Sequence, residues 1–470
     1  MMTTALPLTS TADLRGRRIV VLGLARSGVA AARMLADAGA EVAVYDRRSP
    51  QELHAAVEAL GDRPIRLALG VDEADARALL DAAGLVITSP SISARFPTSD
   101  AWLRAALRDA EQRGTPVLGE IDLFLRLTRA KVLGVTGTKG KTTTTALIGA
   151  MLEASDVPHA VGGNIGTPLI ERVDELTDGH WAVLELSELQ LPTISRGVDV
   201  AVYTNIGSDH LDRHGSVEAY RAVKARLAQL SADGVVVLNA DDPGCRELGA
   251  TLSGELRWYG FDDSTRDATV LDEQLLLGGE PLMPVADVPL HGRHMLGNVM
   301  GAALGARFAG AGSERIAQAV RAFKGVPHRM ETVARRGGVH WVNDSQATIP
   351  MAAIASLQAF APARVVLIAG GRGKGLDYAD LALAARTHAR AVVLIGETAD
   401  ELAALLAGGP PLHRAASMEE AVAIAARLAA PGDVVLLSPA AASFDMFTDY
   451  AARGDAFRRA VEALSQETGS

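Results

Sequence analysis

Short runs of Val, Leu and Ile recur along the chain, and each is followed by a glycine-containing turn and an alanine-rich stretch with helical spacing. Apolar runs of this length predict buried strands, and their alternation with helices predicts parallel α/β architecture. The predicted strands cover residues 18–23, 41–45, 85–88, 131–135, 182–186, 199–204, 234–238, 364–369, 391–395 and 433–437.

This strand–turn–helix pattern begins anew three times, which predicts three α/β domains. A chain of 470 residues has room for them at roughly 100–200 residues per domain. We place the domains at residues 1–119, 120–325 and 326–470. The first and third are predicted to be Rossmann-like, and the central one is predicted to be a parallel sheet of the phosphate-loop ATPase type.

Composition and charge then exclude several classes of protein. The net charge of −10, without a basic stripe, argues against a nucleic-acid binder. No apolar run reaches 18 residues and the N-terminus lacks the order of a signal peptide, so we expect no membrane insertion. The single cysteine, Cys245, excludes an internal disulfide, fits a reducing cytoplasm and is expected to be a packed thiol rather than a nucleophile.

The stretch VVLGLARSGVAAARML (20–35) predicts a strand, a tight turn and a helix. Gly23 and Gly28 bracket the turn, but Ala25 stands where the GxGxxG fingerprint has its middle glycine. The amides at the start of such a helix favour a phosphate. NAD, another nucleotide and a purely structural βαβ unit all remain open for this broken motif.

Polar residues follow two other strands of the first domain. Asp46 ends the second strand, where dinucleotide folds often have a carboxylate that binds ribose. Arg47 comes next and is either a ligand contact or a solvated surface charge. The serine-rich loop 88–97 follows another strand, at a position where such sheets form a ligand crevice.

The strongest chemical signal is GVTGTKGKTTTT at residues 134–145. Its glycines allow successive backbone N–H groups to surround an anion. Lys141 can reach the β- and γ-phosphates of a nucleotide, and the Thr142 hydroxyl can bind Mg²⁺. Val135 stands where the strict phosphate-loop spacing has glycine. The order of strand, glycine-rich loop and helix nevertheless indicates a phosphate loop rather than an ordinary turn.

Three residues further along have chemistry that suits this loop. Glu185 ends an apolar strand and is either a Mg²⁺ ligand or the cap of the next helix. His210 lies in a cluster of acids and histidines, where a metal ligand and a satisfied polar cluster are both open; as a ligand it implies a second metal position. Lys224 borders the apolar stripe of a helix that Ser216 can cap, and by itself it is interpreted as a surface lysine.

Taken in order, these motifs resemble the Mur ligase family. The resemblance covers residues 20 to 457, and the block SPAAASFDMF with DSQAT favours the branch of the family that adds glutamate. The chain differs from the common family pattern at Lys139, Met295 and Gln346, where Asn, Asn and Lys are more usual. The matching segments are TGTKGKT (136–142), GGNIGTPL (162–169), LELSELQL (184–191), TNIGSDHLDRHGS (204–216), LHGRHMLGNVMGA (290–302), GVPHRMETV (325–333), HWVNDSQAT (340–348) and VVLLSPAAASFDMFTDYAARGDAF (434–457).

The resemblance implies roles for individual residues. The implied ATP-binding residues are Gly137, Thr138, Gly140, Lys141, Thr142, Thr143, Asn298, Arg329 and Asp344. The implied UDP-sugar-binding residues are Ala25, Arg26, Ser27, Asp46, Arg47 and Asn164. The implied glutamate-binding residues are Thr348, Lys374, Ser443 and Tyr450. The implied catalytic residues are Lys141, Glu185, His210 and Lys224. The implied ligands of two Mg²⁺ positions are Thr142, Glu185, His210 and Lys224, with Lys224 carbamylated by CO₂.

The implied reaction belongs to peptidoglycan precursor synthesis. ATP phosphorylates the carboxylate of UDP-N-acetylmuramoyl-L-alanine, and the amine of glutamate, D-glutamate by default, then displaces phosphate. We expect a monomeric cytoplasmic enzyme. The alternatives are an L-glutamate-specific variant, another Mur or folylpolyglutamate synthetase-like ligase, an NAD-dependent oxidoreductase that uses the first domain, and a regulatory ATP-binding protein without turnover.

Overall fold

The computed structural model describes residues 8–95, 99–207, 216–290, 292–373 and 376–464. Spatial contacts between residues divide the chain into two compact units, Met1–Phe323 and Lys324–Ser470. Three β-sheets are formed by the described residues, two in the first unit and one in the second. Short 3₁₀ helices cover Thr11–Leu14, Leu169–Arg172, Leu191–Thr193 and Val285–Asp287.

The first sheet is parallel and has the strand order β3-β2-β1-β4-β5. Leu22 at the end of β1 is paired with Tyr45 of β2 and with Thr88 of β4, so the turns after these strands meet at one edge. Its strands are β1 Arg18–Leu22, β2 Glu41–Asp46, β3 Arg66–Leu69, β4 Leu85–Thr88 and β5 Val117–Gly119, and the helices are α1 Arg26–Asp37, α2 His54–Leu60, α3 Glu73–Asp81, α4 Ala101–Gln112 and α5 Glu120–Leu127.

The second sheet has the order β14-β13-β12-β11-β10-β9-β6-β8-β7, with antiparallel pairing at β12–β13 and β13–β14. Val135 of β6 is paired with Glu185 of β8, and Thr136 with Tyr203 of β9, so three strands end together. Its strands are β6 Lys131–Thr136, β7 His159–Gly163, β8 Trp181–Glu185, β9 Val200–Tyr203, β10 Val235–Asn239, β11 Glu255–Phe261, β12 Ala268–Leu271, β13 Gln274–Leu277 and β14 Glu280–Pro284, and the helices are α6 Lys141–Ala154, α7 Val217–Leu230, α8 Pro243–Gly249, α9 Arg293–Phe308 and α10 Ser313–Ala322.

The third sheet has the order β15-β16-β20-β17-β18-β19, and only the pairing of β15 with β16 is antiparallel among its described strands. Its strands are β15 Glu331–Arg336, β16 Val339–Asn343, β17 Val365–Gly370, β18 Ala389–Ile395, β19 Leu412–Arg414 and β20 Val434–Leu437, and the helices are α11 Pro350–Ala359, α12 Ala379–His388, α13 Ala399–Leu405, α14 Met418–Leu428 and α15 Tyr450–Ala463.

Strand β17 shows why the apolar runs are continuous rather than alternating. Val365 and Leu367 lie in the core on one face of the third sheet, whereas Val366 and Ile368 lie in the core on the other face. A parallel strand covered by helices on both faces buries every side chain. Each fully buried Val, Leu or Ile stabilises the fold by roughly 1.5–3 kcal/mol relative to an exposed position.

The predicted α/β class is confirmed, and all ten predicted strands are present with ends that differ by at most two residues. The ten ranges leave out β3, β5, β7, β11 to β16 and β19. Most of these strands are short or lie at sheet edges and in hairpins, whereas β11 is a longer inner strand of the second sheet. The predicted domain limits remain a prediction, although the unit boundary after Phe323 is close to the limit at residue 325. Among the described residues, no helix combines the length and apolar character needed to cross a bilayer.

Candidate active site

The loop between β6 and α6 requires glycine at two positions. Gly137 has φ of 148° and Gly140 has φ of 86°, a region that other residues rarely adopt. A Cβ atom at Gly137 would lie 1.9 Å from Thr204 Oγ1, and one at Gly140 would lie 2.4 Å from Asn298 Oδ1. The backbone of the loop is therefore fixed by steric fit to two neighbouring side chains.

The segment after β9 holds this loop in place. Asn205 Oδ1 accepts a hydrogen bond from Lys139 N at 2.9 Å, and Asn205 Nδ2 donates to Lys139 O at 2.9 Å. Thr204 Oγ1 also donates to Lys139 O, at 2.6 Å. No role was predicted for Thr204 or Asn205, although their position directly after an apolar strand was a usable signal.

Lys141 and the start of α6 give the loop features that suit an anion. Lys141 Nζ donates to Gly137 O at 3.1 Å and to Thr138 O at 3.0 Å, so the ammonium group lies against the loop. Thr142 is buried and Thr143 is partly buried in the first turn of the helix. The backbone N–H groups of a first helical turn lack intrahelical partners and attract negative charge.

Glu185 lies beside this loop at the end of β8 and is 2% exposed. Its Oε1 accepts from Asn164 Nδ2 at 2.9 Å, whereas Oε2 is buried and has no hydrogen-bond partner among the described residues. A buried carboxylate oxygen without a donor is costly, and a cation satisfies it. The residue therefore suits Mg²⁺, and the alternative that it caps the next helix is wrong because, among the described residues, Oε1 accepts from the Asn164 side chain and Oε2 accepts from no donor.

Lys224 is buried, with 0% exposure, so its interpretation as a surface lysine is wrong. It lies on α7, whose cap by Ser216 is confirmed by a 3.1 Å bond from Ala219 N to Ser216 Oγ. Lys224 Nζ donates to Gly137 O at 3.0 Å and approaches Thr136 Oγ1 at 3.3 Å. The amine is thus directed at the first residues of the phosphate loop.

Two further side chains, those of Tyr220 and Asn298, contact the loop. Tyr220 OH, one helical turn before Lys224, is hydrogen-bonded to Thr138 Oγ1 at 3.0 Å. Asn298 on α9 lies against Gly140, and its Nδ2 is 3.7 Å from Met295 Sδ. Because a thioether is a weak acceptor, Met295 supports Asn298 less firmly than an amide would.

The predicted His210 lies outside the described residues, within 208–215. In the described ranges around that segment, no three His, Cys, Asp or Glu side chains gather into a metal-binding group. Of the predicted metal ligands, Thr142, Glu185 and Lys224 lie in or directly beside the phosphate loop.

A cavity of about 410 Å³ opens at the edge of the first sheet where β1, β2 and β4 end. Arg26 and Ser27 begin α1 next to it, and Arg26 Nη2 donates to Asn164 O at 3.1 Å. The lining residues are Gly23, Ala25, Tyr45, Asp46, Arg47, Arg48, Ser89, Ser91, Ile92, Ser99, Asp100 and Leu103. Three predicted UDP-sugar residues, Ala25, Asp46 and Arg47, thus share one cavity with the serine-rich loop.

Asp46 already has partners within the protein. Its Oδ2 accepts from Leu24 N at 2.8 Å, and both carboxylate oxygens accept from Arg48, at 2.7 and 3.0 Å. Burial alone would raise the pKa of Asp46, but the bonds from Arg48 and Leu24 hold this pKa below its usual value. The carboxylate is therefore charged at neutral pH and can accept further hydroxyl or N–H donors.

In the second unit, Asp344 follows β16 and is buried. Its carboxylate accepts from Met330 N at 3.1 Å, Ser356 Oγ at 2.6 Å and Ser438 Oγ at 3.0 Å. Burial raises the pKa of Asp344 despite these bonds. Arg329 is exposed one residue before Met330. The charge of Arg329 acts on the Asp344 carboxylate and opposes the rise in its pKa.

The predicted glutamate residues follow different strands of this unit. Thr348 is partly buried after β16, Ser443 is buried after β20, and Tyr450 begins α15. Lys374 lies outside the described residues. Gln346 Nε2 donates to Tyr450 OH at 3.4 Å, so the residue that replaces a common lysine contacts a member of this group.

Three family models match consecutive parts of the chain. The Mur ligase MurD-like N-terminal domain matches residues 17–119, the Mur ligase middle domain matches 135–306, and the Mur ligase glutamate ligase domain matches 328–441. Together they cover most of the chain and follow the order of the three sheets.

Curated relatives match nearly the whole chain. UDP-N-acetylmuramoylalanine–D-glutamate ligase of Anaeromyxobacter dehalogenans is 43% identical over 95% of this chain and 98% of its own length. The ligase of the same name from Acidobacterium capsulatum is 39% identical over 96% and 97%. The solved structure of the UDP-N-acetylmuramate-alanine ligase MurC of Thermotoga maritima shares the fold, with a TM-score of 0.55, 19% identity and coverage of 96% and 100%.

Proposed function

The chain belongs to the Mur ligase family, and we propose that it uses ATP to join D-glutamate to UDP-N-acetylmuramoyl-L-alanine. Relatives that cover nearly the full chain are named for this reaction, which favours D- over L-glutamate and disfavours a sister ligase. The structural observation that carries the proposal is the glycine-fixed loop at Gly137–Thr142 beside the unpaired Oε2 of Glu185. The first domain is accordingly proposed for UDP rather than for NAD.

In the first step, the carboxylate of the L-alanyl group attacks the γ-phosphorus of ATP. The new C–O–P bond forms as the bond to the ADP oxygen breaks, and the product is an acyl phosphate with ADP as leaving group. Lys141 and the amides of the loop stabilise the charge that moves onto the β–γ bridging oxygen. Lys141 exchanges its present carbonyl partners for phosphate oxygens when ATP binds.

In the second step, the glutamate amine attacks the acyl carbon. The C–N bond forms, phosphate leaves with the bonding pair of the C–O bond, and the amine loses a proton to give the amide. Neither step needs a covalent bond to the enzyme, so binding and orientation are the main tasks of the protein. Arg329 and Asp344 are proposed to hold the nucleotide, and Thr348, Lys374, Ser443 and Tyr450 are proposed to hold the glutamate.

Mg²⁺ is proposed to bind at Thr142 and Glu185, with a second position at His210 and Lys224. The unpaired, buried Oε2 of Glu185 and the hard oxygen of Thr142 suit this ion. When bound, the ion offsets negative charge on the phosphates. Glu185 is kept in place for this role by Asn164, whose amide holds the other carboxylate oxygen.

Carbamylation of Lys224 is part of the proposal. The neutral amine attacks the carbon of CO₂, one C=O pair moves onto oxygen, and the nitrogen loses a proton, which leaves an anionic carbamate. Burial disfavours the charged ammonium form and so favours the reactive neutral amine. Tyr220 and Gly137 lie next to this amine and would border the carbamate.

Phosphate release with one component omitted at a time tests the function. We expect release only when ATP, Mg²⁺, UDP-N-acetylmuramoyl-L-alanine and D-glutamate are all present. A panel with L-glutamate, L-alanine, L-lysine and meso-diaminopimelate as amino acids separates this ligase from its sister enzymes. Turnover with another amino acid in place of D-glutamate would reassign the substrate, and absence of ATP cleavage with every combination would contradict the ligase.

The proposal also includes a monomeric enzyme that acts in the cytoplasm. Sedimentation of the purified protein and fractionation of cells that produce it check these two points. A dimer would contradict the proposed monomeric state but not the proposed reaction.

A further inference from the structure

Among the described residues, Arg453 on α15 is one of the largest fully buried side chains, with 0% exposure. Its guanidinium donates from Nε to Ser345 Oγ at 2.9 Å and from Nη2 to Ser345 O at 3.0 Å. Its Nη1 donates to the carbonyl oxygens of Ala441 and Ala442, both at 3.1 Å. One side chain thus joins the loop after β16 to the loop after β20.

A third loop is connected to the same group. Arg372, in the segment after β17 that leads to Lys374, donates from its backbone N to Ala442 O at 2.9 Å and accepts from Ala442 N. A Cβ atom at Gly371 would lie 2.2 Å from Ala442 O and 3.0 Å from Arg453 Nη1, so glycine is required for this approach. Residues 344–349, 370–373 and 438–449 are called the glutamate loops below, because every proposed glutamate residue lies in them or directly beside them.

Arg453 is also connected, through Ser345, to Tyr450, which is the fourth proposed glutamate-binding residue. Ser345 Oγ, which accepts from Arg453 Nε, itself donates to Tyr450 O at 2.7 Å. Arg453 therefore lies one bond from Ser345, one residue from Ser443 through Ala442, and one turn of α15 from Tyr450. A loss of the guanidinium would free all of these groups together.

The charge of Arg453 is not neutralised by an ion pair within the described residues. Its hydrogen-bond acceptors are three backbone carbonyls and one hydroxyl, none of which carries a charge. Asp445, the acid whose charge acts on it, is instead hydrogen-bonded to Glu397 N at 2.9 Å. Burial lowers the pKa of Arg453 to about 10, so the group stays protonated at neutral pH.

A buried cation without a paired acid is unusual, because desolvation is costly unless the charge is satisfied. Glutamate supplies two carboxylates, and a binding site for them needs positive charge as well as N–H and hydroxyl donors. The chain has Gln346 where a lysine is common in the family, which leaves the loop after β16 with one cation fewer. The Arg453 guanidinium, which is hydrogen-bonded to the loops after β16 and β20, is a positive charge that the sequence motifs did not predict.

We propose that Arg453 is a positioning residue that holds the glutamate loops in one arrangement and places its positive charge beneath the bound glutamate. This inference rests on the proposed function, because it takes the amino-acid substrate to be held by these loops. Arg453 does not touch the reacting atoms, so its contribution is expected in the binding of glutamate rather than in the transfer of phosphate.

Steady-state kinetics of four variants test the role. Arg453→Met removes the charge and the donors, Arg453→Lys keeps the charge but loses the forked geometry, and Ser345→Ala removes one acceptor with little change in shape. Phe457→Leu is the matched control, since Phe457 is buried on the same helix and packs on Trp341 away from the glutamate loops.

We expect Arg453→Met to raise the KM for D-glutamate about 30-fold, Arg453→Lys about 10-fold and Ser345→Ala about 3-fold. The KM values for ATP and for UDP-N-acetylmuramoyl-L-alanine are expected to change less than 2-fold in each variant. Phe457→Leu is expected to lower the melting temperature but to leave the KM for glutamate within 2-fold of the wild-type value.

Two results would overturn the positioning role. One is a KM for glutamate in Arg453→Met that equals the value in Phe457→Leu. The other, which decides the matter if Arg453→Met does not fold, is an unchanged KM for glutamate in Ser345→Ala. In both cases glutamate-dependent turnover by the wild-type enzyme would leave the proposed function intact, whereas a wild-type enzyme indifferent to glutamate would contradict the proposed function itself.

Discussion

The first unit contains two strand–turn–helix motifs with the same outline and opposite electrostatics. The turn from β1 to α1 closes on a carboxylate, because Asp46 accepts a hydrogen bond from Leu24 N within the turn. The loop from β6 to α6 closes on a cation, because Lys141 Nζ lies against the carbonyls of Gly137 and Thr138. The two motifs share a strand–turn–helix order, but the charge beside the first turn favours hydroxyl and N–H donors, whereas the charge beside the second favours phosphates.

This difference shows that a glycine-rich turn alone does not identify the ligand. Both motifs require glycine for steric reasons: a Cβ atom at Gly28 would lie 1.8 Å from Gly23 O, and one at Gly140 would lie 2.4 Å from Asn298 Oδ1. What separates them is the charged residue that closes each turn. The acidic turn suits a ribose or a pyrimidine edge, and the basic loop suits a triphosphate.

Lys141→Ala gives the largest expected effect, because it removes the cation that defines the basic loop. We expect kcat to fall by at least about 10³-fold, which corresponds to about 4 kcal/mol of transition-state stabilisation. The measurement is phosphate release under saturating substrates. Lys131→Ala, at the other end of β6, is the matched control and is expected to retain activity, since Lys131 is exposed over the Trp181 ring. Equal losses in both variants would contradict a special role for Lys141.

Glu185→Gln tests the acidic partner of the basic loop. The amide keeps an oxygen for Asn164 Nδ2 but loses the charge of the unpaired oxygen. We expect kcat to fall about 10²-fold, about 3 kcal/mol, together with a higher Mg²⁺ concentration for half-maximal rate. Glu153→Gln, exposed near the end of α6, serves as the control. An unchanged Mg²⁺ dependence in Glu185→Gln would argue against a metal at this carboxylate.

Glu120 is a buried acid near the turn from β1 to α1, and its titration predicts that the stability of the protein depends on pH. Burial raises the pKa of Glu120 to about 7, and only Arg26 acts against this shift. A folded-state pKa above the unfolded value means that the folded protein binds the proton more tightly. Stability is therefore expected to fall as the pH rises from about 4.5 to about 7, by roughly 3 kcal/mol.

Glu120→Gln removes this titration. Urea denaturation at pH 5 and pH 8 is expected to show a smaller pH dependence in the variant, which should be the more stable form at pH 8. Equal loss of stability in both proteins between these pH values would show that Glu120 is not the group responsible.

Asp46→Asn gives the smallest expected effect and concerns only the acidic turn. We expect the KM for UDP-N-acetylmuramoyl-L-alanine to rise about 10-fold, about 1.4 kcal/mol, with the KM for ATP unchanged. A rise in the KM for ATP instead would mean that the two turns are assigned to the wrong nucleotides.

Features that depend on neighbouring residues could be predicted from the sequence, whereas features that depend on contacts between distant residues could not. The phosphate loop, the strand that ends at Glu185 and the cap at Ser216 are each encoded within a few neighbouring residues, and all were predicted. The burial of Lys224 was not evident from the residues alone, because it depends on contact between α7 and a loop more than 80 residues earlier. Arg453 was missed for the same reason, since its acceptors at Ser345 lie 108 residues away.

Local polar chemistry was also only partly predictable. Asp46 was expected to be available to a ribose, but the pattern could not show that Arg48 and Leu24 N already hold it. Strands β13 and β14 were missed because they form a hairpin at the edge of the second sheet, outside the β/α alternation. Pairing between distant segments, rather than local propensity, determined each of these features.

The central claim is that the basic loop delivers the γ-phosphoryl group of ATP to the alanyl carboxylate, and isotope transfer tests it most directly. UDP-N-acetylmuramoyl-L-alanine labelled with ¹⁸O in that carboxylate is incubated with ATP, Mg²⁺ and D-glutamate, and the released phosphate is analysed by mass spectrometry. An acyl phosphate requires one carboxylate oxygen to leave with the phosphate, so we predict one ¹⁸O atom per phosphate released. Phosphate without ¹⁸O, formed at the same rate as the amide product, would contradict the account.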